Sequence, residues 1–63
     1  RIAFRISSSG YGGAGRLLRP YLDKEEWLSN GDWACIIECP PGLASGLIGK
    51  VKGVDSNSEA KEL

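Results

Sequence analysis

Gly10-Tyr11-Gly12-Gly13-Ala14-Gly15 has the spacing Gly-x-Gly-x-x-Gly. Between a strand and a helix, that spacing lays backbone N–H groups against a dinucleotide pyrophosphate. The surroundings oppose this use. The next turn signal, Asn30-Gly31, marks a hairpin. The chain therefore turns antiparallel where a dinucleotide-binding unit stays parallel. Its 63 residues are too few for such a domain, and nine glycines meet the spacing easily by composition. Read as a P-loop, the stretch has Arg16 and Leu17 where Lys and Ser or Thr must stand. A weaker form survives: a phosphate of any kind held at a helix start, with Arg16 and Arg19 nearby.

Other chemistry is thinly represented. The chain has no His, which removes histidine general-base catalysis and histidine metal ligation. Cys35 and Cys39 lie in one strand-like run, Trp33 to Cys39. Four residues of strand separate them by about 13 Å, beyond the ~7 Å Cα limit of a disulfide. Two thiolates alone make a poor zinc site, so they read as small buried apolar residues. Free thiols suit a reducing compartment, and the expected location is cytoplasmic. Glu25 and Glu26 are adjacent in a strand and point to opposite faces, so they form no acid–base pair. We expect no catalytic residue, no cofactor and no metal.

Charge is neutral overall but unevenly spread. Residues 1–22 carry Arg1, Arg5, Arg16 and Arg19 and no acid, a net +4. Residues 23–63 carry Lys24, Lys50, Lys52 and Lys61 against eight acids, a net −4. Arg grips phosphate and carboxylate with a planar fork, so the first third is the better anion-facing surface. No run of about 18 apolar residues is present, so no membrane partner is expected.

The elements that position these residues follow from periodicity. Arg1 to Ser7 alternates, with Ile2, Phe4 and Ile6 on one face, which reads as a half-buried strand. Ser7 to Gly13 reads as a polar, glycine-rich turn. Ala14, Leu17, Leu18 and Tyr21 then take helical spacing, and Pro20 ends or bends that helix. Lys24 to Ser29 and Trp33 to Cys39 read as strands about an Asn30-Gly31 turn. A two-residue turn pairs Leu28 with Trp33 and sends Trp27 to the open face; a bulge reverses this. Leu43, Ala44, Leu47, Ile48 and Val51 mark a second helix, and Glu59 to Leu63 a last edge strand.

The order βαββαβ at this length predicts an α+β, ferredoxin-like sandwich, a four-stranded antiparallel sheet with two helices on one face. The expected core is Ile2, Phe4, Ile6, Leu17, Leu18, Cys35, Ile37, Leu47, Ile48 and Val51. The opposite face would display Ala3, Arg5, Ala34 and Ile36. It lacks the aromatic platform of an RNA-recognition motif. Residues 1–63 are one domain. With Arg1 first and no Met, we expect a piece of a longer protein, its C-terminal domain.

Lys24-Glu25-Glu26-Trp27 through Trp33-Ala34-Cys35-Ile36-Ile37-Glu38-Cys39-Pro40-Pro41-Gly42-Leu43 resembles the C-terminal, third domain of archaeal members of the SBDS ribosome maturation family. Members carry Glu-Glu-Trp, a turn, Trp, an apolar strand and Glu-x-Pro-x-Gly there. The short basic first strand, the Tyr-Gly helix start and the Lys-Gly stretch fit as well. Asp55 to Ser58 depart by lengthening the last loop. The resemblance implies the ferredoxin-like fold found also in the fifth domain of elongation factor G. It implies a non-enzymatic role in maturing the large ribosomal subunit, touching ribosomal RNA and ribosomal protein. In eukaryotic members that role is shared with a translational GTPase and releases an anti-association initiation factor, which the resemblance extends to this chain; no DNA partner is expected.

Together, charge and resemblance nominate Arg16, Arg19, Lys50 and Lys52 as ribosome-binding residues. Arg16 and Arg19 sit one turn apart, off the buried stripe. Lys50 and Lys52 close the second helix, where cations suit its dipole. The alternative is a ferredoxin-like regulatory module that binds a small ligand.

Overall fold

Alternating apolar residues make the first strand, β1 (Ile2–Ile6), which buries Ile2, Phe4 and Ile6 on one side. The computed structural model describes residues 1–63, from Arg1 to Leu63. After β1 comes a short 3-10 turn, Ser8–Gly10, then helix α1 (Tyr11–Leu18). The glycine-rich stretch expected as a turn is therefore mostly helix. Intrinsic propensity opposes this, and burial of Ala14, Gly15 and Leu18 against the sheet overrides it. As Pro20 predicts, the α-helix stops at Leu18, and Arg19–Tyr21 tightens into a 3-10 turn.

Strands β2 (Leu22–Trp27) and β3 (Trp33–Ile37) form the hairpin. Helix α2 (Pro41–Val54) opens with Pro41 in its first turn, where the missing N–H costs nothing. Strand β4 (Glu59–Glu62) ends the fold. The sheet order is β2-β3-β1-β4 and every pair is antiparallel. This is the ferredoxin-like α+β arrangement read from the element order.

The hairpin decides between the two registers that the sequence leaves open. Its loop has three residues, Ser29 to Gly31, not two. Leu28 N–H donates to the Asp32 carbonyl at 2.8 Å, and Gly31 N–H to the Leu28 carbonyl at 3.0 Å. Only Gly31 takes positive φ, at 92°. That is a type I turn closed by a left-handed glycine, the usual three-residue hairpin. The odd residue shifts the register, so Trp27 pairs with Trp33 and lies on the helix side. A second irregularity, at Asp23, bulges β2 between Leu22 and Lys24.

The core comprises Ile2, Phe4, Ile6, Ala14, Leu18, Trp33, Cys35, Ile37, Leu47 and Val51. Trp33 and Ala14 join the expected set. Leu17 and Ile48 are only partly buried at its rim. No helix is long and apolar enough to cross a membrane.

Candidate nucleic-acid interface

The turn leading into α1 is held by an anion from the chain itself. Asp55, 8% exposed, follows the last residue of α2. Its Oδ2 accepts hydrogen bonds from the backbone N–H and the hydroxyl of Ser7, both at 2.9 Å. Its Oδ1 accepts from Asn57 N–H at 3.1 Å. These bonds, Ser7's backbone one foremost, hold the Asp55 carboxyl below the usual carboxylate range, and burial opposes them only in part. Gly10 allows the approach: a Cβ there would stand 2.7 Å from Asp55 Cβ. At Gly13 a Cβ would meet Val54 Cγ1 at 2.8 Å. The Gly-x-Gly-x-x-Gly stretch thus seats α1 against the end of α2. The Ser7 N–H, in the turn leading into α1, is taken by Asp55.

Among the nominated cations, Arg16 and Arg19 are exposed and three residues apart on and just beyond α1, which places them on neighbouring parts of one surface. Arg19 Nη2 donates to the Tyr11 hydroxyl oxygen at 3.0 Å. The Tyr11 ring in turn lies 4.9 Å from both the Trp27 and Trp33 ring centroids. The guanidinium is therefore oriented by a side chain that itself packs against two indoles. Neither arginine has a carboxylate within ion-pair distance, because the chain's two salt bridges use Arg1 and Arg5. Lys50 is likewise exposed on α2 and unpaired.

Lys52 is placed differently. Its ammonium donates to the Ser56 carbonyl at 3.1 Å and the Ser58 carbonyl at 2.6 Å. It closes the loop between α2 and β4 over Asp55, and its charge also favours the ionised Asp55. The positive first third of the chain is not one patch either. Arg1 pairs with Asp23 and Arg5 with Asp32, each at 2.9 Å, on the sheet face away from the helices. Strand alternation sends Arg1 and Arg5 to one side of the molecule, while α1 and the 3-10 turn after it carry Arg16 and Arg19 on the other.

Trp27 and Tyr11 are neighbours of this surface that the sequence alone did not bring together. Trp27 is 53% exposed. The hairpin loop length was the signal that would have placed it. Beneath, the Trp33 indole N–H donates to Glu25 Oε1 at 3.2 Å. Glu25 also lies across from Cys35. Burial, and then the Glu25 charge, push the Cys35 thiol up to about 11, against a backbone hydrogen bond at Phe4 that lowers it. Cys39 is half-buried, and both cysteines are free thiols.

Comparison with models of known families and with curated protein sequences finds no match.

Proposed function

We propose that this domain is a non-enzymatic ribosome biogenesis module that contacts the large ribosomal subunit through the outer surface of α1. The observation that carries the reading is the pair Arg16 and Arg19: exposed, one turn apart and free of carboxylate partners. Such forks suit RNA phosphates, and Tyr11 limits the freedom Arg19 would lose on binding. Lys50 extends the surface along α2. Lys52 contributes charge at long range while holding its loop. The run from Lys24 to Leu43, with its likeness to the third domain of SBDS-family proteins, supports the ribosomal assignment. In the same reading the domain assists a translational GTPase in releasing an anti-association initiation factor.

The test is binding of purified large subunits across a salt series, for the protein and for Arg16→Glu/Arg19→Glu. Each phosphate contact contributes a slope of about −0.7 to −0.9 in log K against log salt. Losing two contacts should flatten the slope by about 1.5 and weaken binding at low salt. Unchanged affinity and slope, with the fold intact by circular dichroism, would remove α1 from the contact.

A further inference from the structure

The sheet face opposite the helices carries its side chains in two rows across the strands. The register sets Lys24, Ile36, Ala3 and Lys61 side by side in one row. Glu26, Ala34, Arg5 and Glu59 form the next. Ile36, Ala3 and Ala34 make a half-buried apolar centre that lines a shallow depression of about 480 Å³. Lysines flank it in one row and glutamates in the other. Arg5 is turned aside to Asp32, Nε to Oδ2 at 2.9 Å. Lys24, Glu26, Glu59 and Lys61 are exposed and enter no ion pair within the chain.

We infer that this face binds the same face of a second copy of the chain. Consider a two-fold axis lying in the interface and crossing the strands midway between the rows. It stacks each row on the opposite row of the partner. Lys24 faces the partner's Glu26, and Lys61 faces the partner's Glu59. Symmetry doubles both contacts, so four ion pairs frame an apolar centre built on Ile36 and Ala34. Stacked sheets lie about 10 Å apart, a gap that Lys and Glu side chains from both sides can bridge. The other in-plane axis, parallel to the strands, sets Lys24 over the partner's Lys61 and Glu26 over the partner's Glu59. Like charges disfavour it, so the pattern selects one orientation as well as one partner.

Four strands about 4.8 Å apart bound a patch of a few hundred Å², below the ~800 Å² per partner of a standard interface. The dimer is therefore weak and concentration-dependent. α1 and α2 lie on the other side of the sheet, so the ribosomal contact and this pairing stand or fall separately.

Sedimentation equilibrium of the 63-residue chain, from about 10 μM to about 1 mM, spans the range in which a weak complex forms. We expect a dimer that weakens as salt rises, with amide shifts on dilution centred on Ala3, Ala34 and Ile36. Lys24→Glu sets a carboxylate against the partner's Glu26 at two symmetric places and should weaken association about tenfold. Adding Glu26→Lys to it restores complementarity and should restore the dimer. Both positions are exposed, and backbone NMR spectra check that each variant keeps its fold. A monomer at every concentration would overturn the pairing. So would a dimer indifferent to Lys24→Glu, or one that the double exchange fails to restore. A monomer whose Ala34 and Ile36 amides shift instead on adding a short RNA would also overturn it and assign the face to nucleic acid.

Discussion

Trp27 sits directly across the hairpin from Trp33, and the Tyr11 ring touches both, 4.9 Å from each centroid. One indole is fully buried and the other is 53% exposed, so a single cross-strand pair joins core to surface. The two should differ sharply on truncation. Trp33→Ala leaves a cavity and an unpartnered Glu25, at a cost of about 3–5 kcal/mol. A 63-residue domain has only about 3–9 kcal/mol of stability, so this variant should lose a third or more of it and unfold at far lower urea. Trp27→Ala should remain folded and lose about 0.5–1.5 kcal/mol, the worth of an aromatic contact. Urea titration followed by circular dichroism separates the two outcomes.

Asp55 should make stability depend on acid. Its folded-state pKa lies below the unfolded one, so its contribution is fully present above the ordinary Asp value of about 3.9. That contribution is lost as pH falls through the depressed folded value. Thermal melts of the protein should therefore fall in acid, and Asp55→Asn should flatten that part of the curve. Ser7→Ala removes the hydroxyl but leaves the backbone bond, so it should produce a smaller change of the same sign. An Asp55→Asn melt that declines as steeply as the parent's would show that other carboxylates carry the effect.

Two helix-region glycines should respond oppositely to alanine. At Gly46 in α2 a Cβ meets nothing within 4 Å, so Gly46→Ala should stabilise by up to about 1 kcal/mol. At Gly10 the Cβ would press on Asp55 Cβ, and Gly10→Ala should destabilise by about 1–3 kcal/mol. Chemical denaturation midpoints give both signs directly.

The same contrast explains which parts of the fold were readable from the chain. Alternation in β1 and β3 was legible because one face of each is buried, and the period of two records it. The Asn30-Gly31 pair announced a hairpin but not its length, because a left-handed glycine closes two-residue and three-residue loops alike. The side that Trp27 takes stayed open for that reason alone. The glycines from Gly10 to Gly13 read as a turn because what holds them helical is non-local. Val54 and Asp55 arrive from the far end of α2, some forty residues on. The candidate cations divide along the same line. Arg16 and Arg19 follow from helical spacing, whereas the engagement of Lys52 with Ser56 and Ser58 depends on a loop whose shape no local pattern encodes.

The two cysteines should differ toward thiol reagents. Cys35 is 3% exposed, and its thiol is pushed up to about 11 by burial and by Glu25. Little reactive thiolate forms near neutral pH, so its labelling should wait on unfolding. Cys39 is half-buried and should label first. Timed mass spectrometry after dilute maleimide should show one fast and one slow modification. Fast loss of Cys35 would mean that β3 opens readily in the native state.

The Ser7–Asp55 bonds join two connections that lie far apart in the chain, the one from β1 into α1 and the one from α2 into β4. Each belongs to a different strand–helix–strand half. With Lys52 closing the second over Ser56 and Ser58, neither half can loosen its helix without disturbing the other's exit. The domain is thereby latched at one end as well as filled in the middle, and its opening should be all-or-none. In the contact proposed for α1, such a latch would spread any pull on that helix over the whole sheet.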